Sequence, residues 1–253
     1  MKKLFFLFSV LLSVHSFAGI QIISDLDDTI KITNSGSEVD GAINAAFTSY
    51  TFTGIPEFFE AADYYTNELH ILSASPGILR AKILSTLKKN QIQITSLILK
   101  NPLKGQSKID YKVAQMRKLI EKSTDDFILI GDDVGQDPEA YEKISQMFPG
   151  RVLRSYIHMI KGRPVPATVI KYWTSFDLFM QEFLARRMST SWVQKASEMI
   201  VQETKMKMVF PDFAVCPTDA SLWQWQTETI FIAEAQEAIQ KIVTYCKVRS
   251  SSI

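Results

Sequence analysis

Asp25, Asp27, Asp28 and Thr29 stand directly behind a short apolar run, Ile20, Ile22 and Ile23, that ends in Ser24. Carboxylates crowded at the end of a buried strand repel one another and are costly to desolvate. They persist where a cation binds them or a reaction uses them. Two other apolar runs end in polar residues. Ser73-Ala74-Ser75 closes one, and Gly131-Asp132-Asp133 closes another, with Asp137 five residues beyond Asp132. Lys108 and Lys112 lie on a predicted helix ahead of that last run. In a parallel sheet these ends converge on one rim, where Asp25, Asp27 and Asp132 can offer oxygens to a hard cation. Mg2+ takes a few carboxylates together with waters and a phosphate oxygen. One chemistry employs every part. A carboxylate attacks phosphorus and forms an aspartyl-phosphate. The metal and a lysine offset charge on the transferring group. The second aspartate protonates the leaving oxygen and then activates water, while the Ser73 hydroxyl binds a phosphoryl oxygen.

Each residue also has a plainer role. An isolated Asp-x-Asp is common in surface loops, Ser73 alone suits a strand cap, and Lys108 and Lys112 alone suit a solvated helix. Taken together, behind apolar strands, they favour the site. His70 and His158 have no second His or Cys at ligand spacing, which gives both structural roles. Ser73 and Ser75 lack the Gly-x-Ser-x-Gly turn of a serine hydrolase.

The elements that must position these groups alternate. Strands are expected at residues 20–24, 69–72, 94–99, 127–130 and 152–157, from their apolar and β-branched character. Helices are expected between them at 55–65, 77–89, 108–122 and 138–148. Ser75-Pro76 suits the start of the second of these helices and Asp137 the N-cap of the fourth. This order predicts an α/β fold, a Rossmann-like parallel sheet of about five strands covered by helices on both faces. Ligands of such sheets bind beyond the carboxyl ends of the strands. After Pro164 and Pro166 the strand pattern stops, and residues 173–188, 191–208 and 219–248 read as three helices rich in aromatic residues, which pack them onto the sheet or onto one another. The expected organisation is a segment 1–18 that is removed, a catalytic domain over 19–165 and a helical C-terminal extension over 166–253. The span from Thr33 to Gly54 is too short for a cap domain and suits a small lid.

Apolar residues make up 46% of the 253 and the net charge is +1, which suits a packed core and gives no basic run for nucleic acid. Lys2 and Lys3, the apolar stretch 4–14 and the small residues around Ala18 have the pattern of a signal peptide. The expected location is therefore outside the cytoplasm, periplasmic or secreted, with no transmembrane segment in the mature chain. Cys216 and Cys246 are the two cysteines. With neither Gly nor Pro between Pro217 and Cys246, a continuous helix would hold them roughly 40 Å apart. An exported protein could pair them, but an internal bridge requires a break in that helix.

These residues resemble the haloacid dehalogenase superfamily and, more narrowly, the catalytic domain of the actin-patch-associated phosphatidate phosphatases and their bacterial relatives, over residues 20–162. Ser24-Asp25-Leu26-Asp27-Asp28-Thr29-Ile30-Lys31 is similar to the family's opening motif, and Ser73-Ala74-Ser75-Pro76 to its Ser-Asn-Ser-Pro. The run from Phe127 to Asp132, followed by Asp137-Pro138-Glu139 and Tyr141, is similar to its metal-site block. The resemblance implies Asp25 as nucleophile and Asp27 as general acid and base. Ser73 and Lys112 would hold the phosphoryl group, with Lys108 as the alternative lysine. Asp25, the backbone carbonyl of Asp27 and Asp132 would bind Mg2+. Asp137 would support that site directly or through water, with Asp133 as its substitute, and Thr29 would fix the loop. Ala74, Gly77, the stretch from Asp133 to Gln136 and His158 depart from the family pattern without removing a catalytic group. The implied activity is a Mg2+-dependent phosphatase acting on phosphatidate-like lipid phosphates at a membrane surface. Soluble phosphomonoesters such as nucleotides or sugar phosphates are the second reading, and a silent binding module built on the tail helices is the third.

Overall fold

The structure is a computed structural model of the chain, and it describes residues 19–35, 49–101, 105–217 and 232–250. The signal-peptide reading of 1–18, the middle of the lid span (36–48) and the start of the last predicted helix (219–231) lie outside the described residues. The strands are β1 (Ile20–Ser24), β2 (Glu68–Pro76), β3 (Ser96–Lys100), β4 (Asp126–Asp132), β5 (Val152–His158) and β6 (Ile170–Tyr172). They form one sheet, parallel at every pairing, in the order β3-β2-β1-β4-β5-β6. The helices are α1 (Ile55–Ala62), α2 (Arg80–Lys89), α3 (Lys108–Lys122), α4 (Asp137–Met147), α5 (Ser175–Leu184), α6 (Thr190–Gln202) and α7 (Ile232–Ser250).

Alternation along β1 divides the core. Ile22 faces one layer, with Phe58 of α1, Ile83 of α2, Phe179 of α5 and Ile200 of α6. Ile23 faces the other, with Met116 and Ile120 of α3 and Ile144 of α4. Successive side chains on a strand point to opposite faces, so an unbroken apolar run is what a sheet covered on both sides requires.

Several boundaries differ from expectation. A sixth strand exists: Ile170–Tyr172 pairs with Tyr156, Ile157 and His158 of β5. Three residues carry too short a pattern to read, and pairing with β5 supplies what propensity does not. The strand pattern therefore continues past Pro166, and Phe176, Phe179 and Val193 share one apolar layer with Ile22 of β1. The segment 77–89 divides into a 3-10 turn, Gly77–Leu79, and α2. Asp137 is the first residue inside α4 rather than its cap, since Gln136 holds that position.

Cys216 and Cys246 form a disulfide with Cα atoms 5.7 Å apart. The pairing that the sequence left open, and that the helical composition disfavoured, is therefore made. A Cα separation of 5.7 Å is incompatible with one continuous helix between the two cysteines, which would hold them roughly 40 Å apart. Cys246 is buried against the layer that holds α5 and α6.

Candidate active site

Ser24 pairs with Ile71 of β2 on one side and Ile130 of β4 on the other, so Asp25 emerges between two neighbouring strand ends. The chain leaves β1 toward β2 and β3 and returns on the other side at β4. That reversal of strand order opens a crevice at the carboxyl rim. Asp25 and Asp132 flank it. Lys112, from the second turn of α3, places Nζ 2.9 Å from Oδ1 of Asp25 and donates a hydrogen bond to Oδ1 of Asp137. Asp25, Asp132 and Asp137 are all buried, with ligand oxygens within 4.8 Å of one another. Asp132 is held rigidly. Its Oδ1 accepts from the amides of Val134 (2.8 Å) and Gly135 (3.2 Å), and its Oδ2 from Thr29 Oγ1 at 3.0 Å. Gly131 allows this approach, because a Cβ there would stand 2.5 Å from Asp137 Oδ2 and 2.7 Å from Tyr141 Oη.

The opposite wall is made of hydroxyls. Ser75 Oγ donates to Asp27 Oδ2 at 2.7 Å, Ser73 Oγ approaches the same oxygen at 3.4 Å, and the Ser75 amide donates to Ser73 Oγ at 3.0 Å. Asp27 Oδ1 makes no hydrogen bond and lies 3.8 Å from the Nζ of buried Lys31. Ser75 and Lys31 were not singled out as site residues by sequence reasoning. The signal for Ser75 was present, since residues two apart on a strand share a face. For Lys31 none was present, because a lysine next to a carboxylate motif reads as solvated until its burial is seen.

Not every candidate converges. Asp133 is turned away from the cluster, and its carboxylate accepts the amides of Ile160, Lys161 and Arg163 at 2.7–3.0 Å. Saturated by backbone donors in the segment after β5, it is no substitute for Asp137. Asp28, in the left-handed region at φ 60°, accepts the amides of Thr33, Asn34 and Ser35 and so pins the loop. Lys108 is exposed at the lip of the cleft, while Lys112 is buried within it. His158 sits between the carbonyls of Asp28 and Trp173 and stacks on Tyr172, and His70 bonds Gln21 and Ser96. Both histidines are structural.

Electrostatics follow from burial. Desolvation raises the carboxyls of Asp25 and Asp132, and it raises Asp137 to about 6, although Lys112 pulls all three the other way. Burial also opposes charge on Lys112, but Asp137, Asp25 and Asp132 outweigh it and keep the ammonium protonated. Asp27 is raised by desolvation as well, with Lys31 opposing. Three buried acids therefore face one ammonium, and full ionisation leaves negative charge uncompensated. The donors are all oxygen and each carboxylate keeps free lone pairs, so the cluster fits a hard cation. Such an ion would complete the charge balance and drive off the retained protons.

A parallel α/β sheet with this carboxylate–lysine centre at its switch point places the protein in the haloacid dehalogenase-like class. Residues 20–159 match the family described as "Phosphatidate phosphatase APP1, catalytic domain", more than half of the chain, and the protein belongs to that family. It is similar to "Uncharacterized protein C29B5.04c" of Schizosaccharomyces pombe (strain 972 / ATCC 24843). The two are 29% identical over 150 residues, covering 55% of this chain and 25% of the yeast protein. The matched region thus spans about a quarter of that curated relative. A solved structure, "Structure of Pnkp1/Rnl/Hen1 complex", matches with TM-score 0.42 and 15% identity, over 62% of this chain and 47% of the other.

Proposed function

We propose that the protein is a Mg2+-dependent phosphatase that cleaves phosphate monoesters through an aspartyl-phosphate on Asp25, with phosphatidate-like lipids as the substrate class. The observation that carries this reading is the buried contact of Asp25 with Lys112, facing Asp27 across the cleft. Asp25 is the nucleophile, and its oxygen bonds to phosphorus as the bond to the leaving oxygen breaks. Asp27, whose carboxyl burial raises against the pull of Lys31, hands a proton to that leaving oxygen. The ionised Asp27 then takes a proton from the water that attacks the phosphorus, which releases inorganic phosphate and restores Asp25. Lys112 and the hydroxyls of Ser73 and Ser75 hold phosphoryl oxygens in line. Mg2+, held by Asp25, Asp132 and Asp137, would supply positive charge against the transferring group.

The family description supports a lipid phosphate. The cleft has a volume of about 230 Å³ and, among the described residues, carries no large aliphatic or aromatic side chain in its lining, so it suits a phosphate headgroup with acyl chains left outside. The same dimensions favour a second reading, in which soluble phosphomonoesters are the substrates. Export, read from residues 1–18, is supported by the Cys216–Cys246 bridge, since disulfides persist in oxidising compartments.

The test is phosphate release from phosphatidate in mixed micelles and from a panel of soluble esters, with Mg2+ and with EDTA. Release is expected to require Mg2+ and to vanish in Asp25→Asn. Undiminished turnover in that variant would exclude the aspartyl-phosphate route. Faster cleavage of soluble esters than of phosphatidate would transfer the substrate assignment to the second reading.

A further inference from the structure

The charge of this chain is balanced in total and lopsided in place. From Leu69 to Ile109 there is no Asp or Glu, while Arg80, Lys82, Lys88, Lys89, Lys100, Lys104 and Lys108 contribute seven cations. The rest of the chain holds the other 21 of 28 Lys and Arg against all 27 Asp and Glu. Because the seven are spread over four elements and loops, no basic run shows in the sequence. The fold gathers the six described ones, all but Lys104, around α2, the end of β3 and the start of α3. β3 is the outermost strand on its side, β2 is its neighbour, and α2 connects the two. α2 starts at the rim where β2 ends, and Ser73, Ser75 and Pro76 at that end line the catalytic cleft. Lys100 ends β3 and Lys108 begins α3 at the same rim. Lys82 is close enough to the buried Lys31 to oppose its charge.

This flank also exposes apolar side chains. Ile78, in the turn between β2 and α2, is 90% exposed, whereas its neighbour Leu79 packs against the core. Leu84, one and a half turns further along, is 42% exposed. Ala81, Lys82, Leu84, Ser85, Lys88 and Lys89 all face solvent. A helix face that mixes cations with solvent-directed aliphatic residues suits the headgroup layer of an anionic membrane. There the lysines meet lipid charge and the aliphatic groups enter the acyl boundary. A soluble acidic partner would use the charge but leave Ile78 exposed. No described helix is long and apolar enough to cross a membrane, so the contact is with the surface.

We propose that the flank formed by the Ile78 turn, α2 and the end of β3 is a docking face for an anionic lipid surface, seating the catalytic cleft against the bilayer. The proposal deepens the lipid-phosphatase reading and rests on it for its purpose. The binding itself does not need catalysis. Docked in this way, the cleft opens at the headgroup level and a lipid phosphate reaches Asp25 without leaving its leaflet.

The experiment is co-sedimentation of the full chain with phosphatidylcholine vesicles and with mixed phosphatidylcholine–phosphatidylglycerol vesicles, neither of which contains a phosphomonoester. The readout is the ratio of the two affinities in wild type, Ile78→Asp and the double variant Lys82→Gln/Lys100→Gln. Residues 1–18 are common to all three chains, so their contribution cancels. Wild type is expected to prefer the anionic vesicles, and more so at low salt. Ile78→Asp should weaken that binding about tenfold, the weight of one buried aliphatic side chain. The double variant should lose about fivefold for each cation removed. Turnover of p-nitrophenyl phosphate by Ile78→Asp should match wild type, showing that the variant is folded. Equal affinity for both vesicles, or variants that bind as wild type does, overturns the docking face. Binding to heparin with none to anionic vesicles overturns it in favour of a soluble polyanion. If anionic vesicles bind as expected but phosphatidate is not cleaved, the docking face stands and the lipid-phosphatase reading falls.

Discussion

Nζ of Lys112, on the inner side of α3, lies 2.9 Å from Oδ1 of Asp25 at the end of β1. The same ammonium bonds Asp137, so one buried cation serves two of the three carboxylates in the cluster. Replacing it with Met removes the only ammonium among the described residues that pairs directly with these acids. Breaking a buried pair by removing one partner costs about 3–5 kcal/mol. Lys112→Met should show that loss in urea unfolding at neutral pH in EDTA, and a smaller one with Mg2+ present. A variant as stable as wild type in EDTA would mean that the cluster is not charged in the resting protein.

Asp27→Asn preserves shape and removes the proton carrier. We expect kcat to fall by about 10²–10⁴, the usual weight of a general acid, with KM little changed. Aspartyl-phosphate should accumulate on aryl esters, because their leaving groups need no proton while the water step still does. Rapid acid quench and measurement of phosphate bound to the protein decide it. An unchanged kcat would remove Asp27 from proton transfer.

Stability should respond to pH in a direction fixed by burial. Desolvation raises Asp137 from 3.8 to about 6 against the pull of Lys112. Such a carboxyl holds its proton more tightly in the folded state than in the unfolded one. In metal-free protein its contribution is therefore most favourable below about pH 4 and is lost as pH rises to about 6, on the order of 3 kcal/mol in all. Asp25 and Asp132 are shifted the same way and add to the trend. Mg2+ requires ionised ligands, so its stabilisation should grow over the same window. Melting curves from about pH 4 to about pH 8, in EDTA and in Mg2+, should diverge as pH rises, and parallel curves would contradict the assignment.

Thr29 touches no substrate in this arrangement but donates to Asp132 Oδ2 at 3.0 Å. Thr29→Val keeps the volume and removes the donor. Groups that orient a ligand carboxylate typically affect metal affinity by about 10–100-fold. Calorimetric titration with Mg2+ should show that loss, together with a decrease in stability of about 1.5–3 kcal/mol. Affinity equal to wild type would make the bond a loop contact and nothing more.

The Cys216–Cys246 bridge closes a separation of 30 residues. Loop-closure entropy for that length is worth about 3–4 kcal/mol. Because Cys246 packs in the layer shared with α5 and α6, the paired Cys→Ser variant should lose stability by that amount in guanidinium unfolding. Wild type should move to the same midpoint under dithiothreitol. A midpoint that ignores reductant would show that the thiols are unpaired in solution.

Local chemistry made much of the site legible. The apolar run through Ile23 predicts a strand buried on both faces, and its end in Asp25 and Asp27 predicts a rim of carboxylates, because side-chain period and desolvation cost act within a few residues. The same logic picks out Ser73 and Asp132, and the sheet lies where those patterns place it. What the tertiary structure decided depends on groups distant in sequence. Which of Lys112 and Lys108 is buried beside Asp25 depends on how α3 packs against the sheet. The role of Asp133 turned on amides that arrive from beyond β5. β6 is three residues that form a strand only beside β5, and the disulfide joins two cysteines that helical composition alone would have kept apart. Propensity and periodicity are short-range signals, whereas burial, register and ion pairing are decided by which surfaces meet when the layers close.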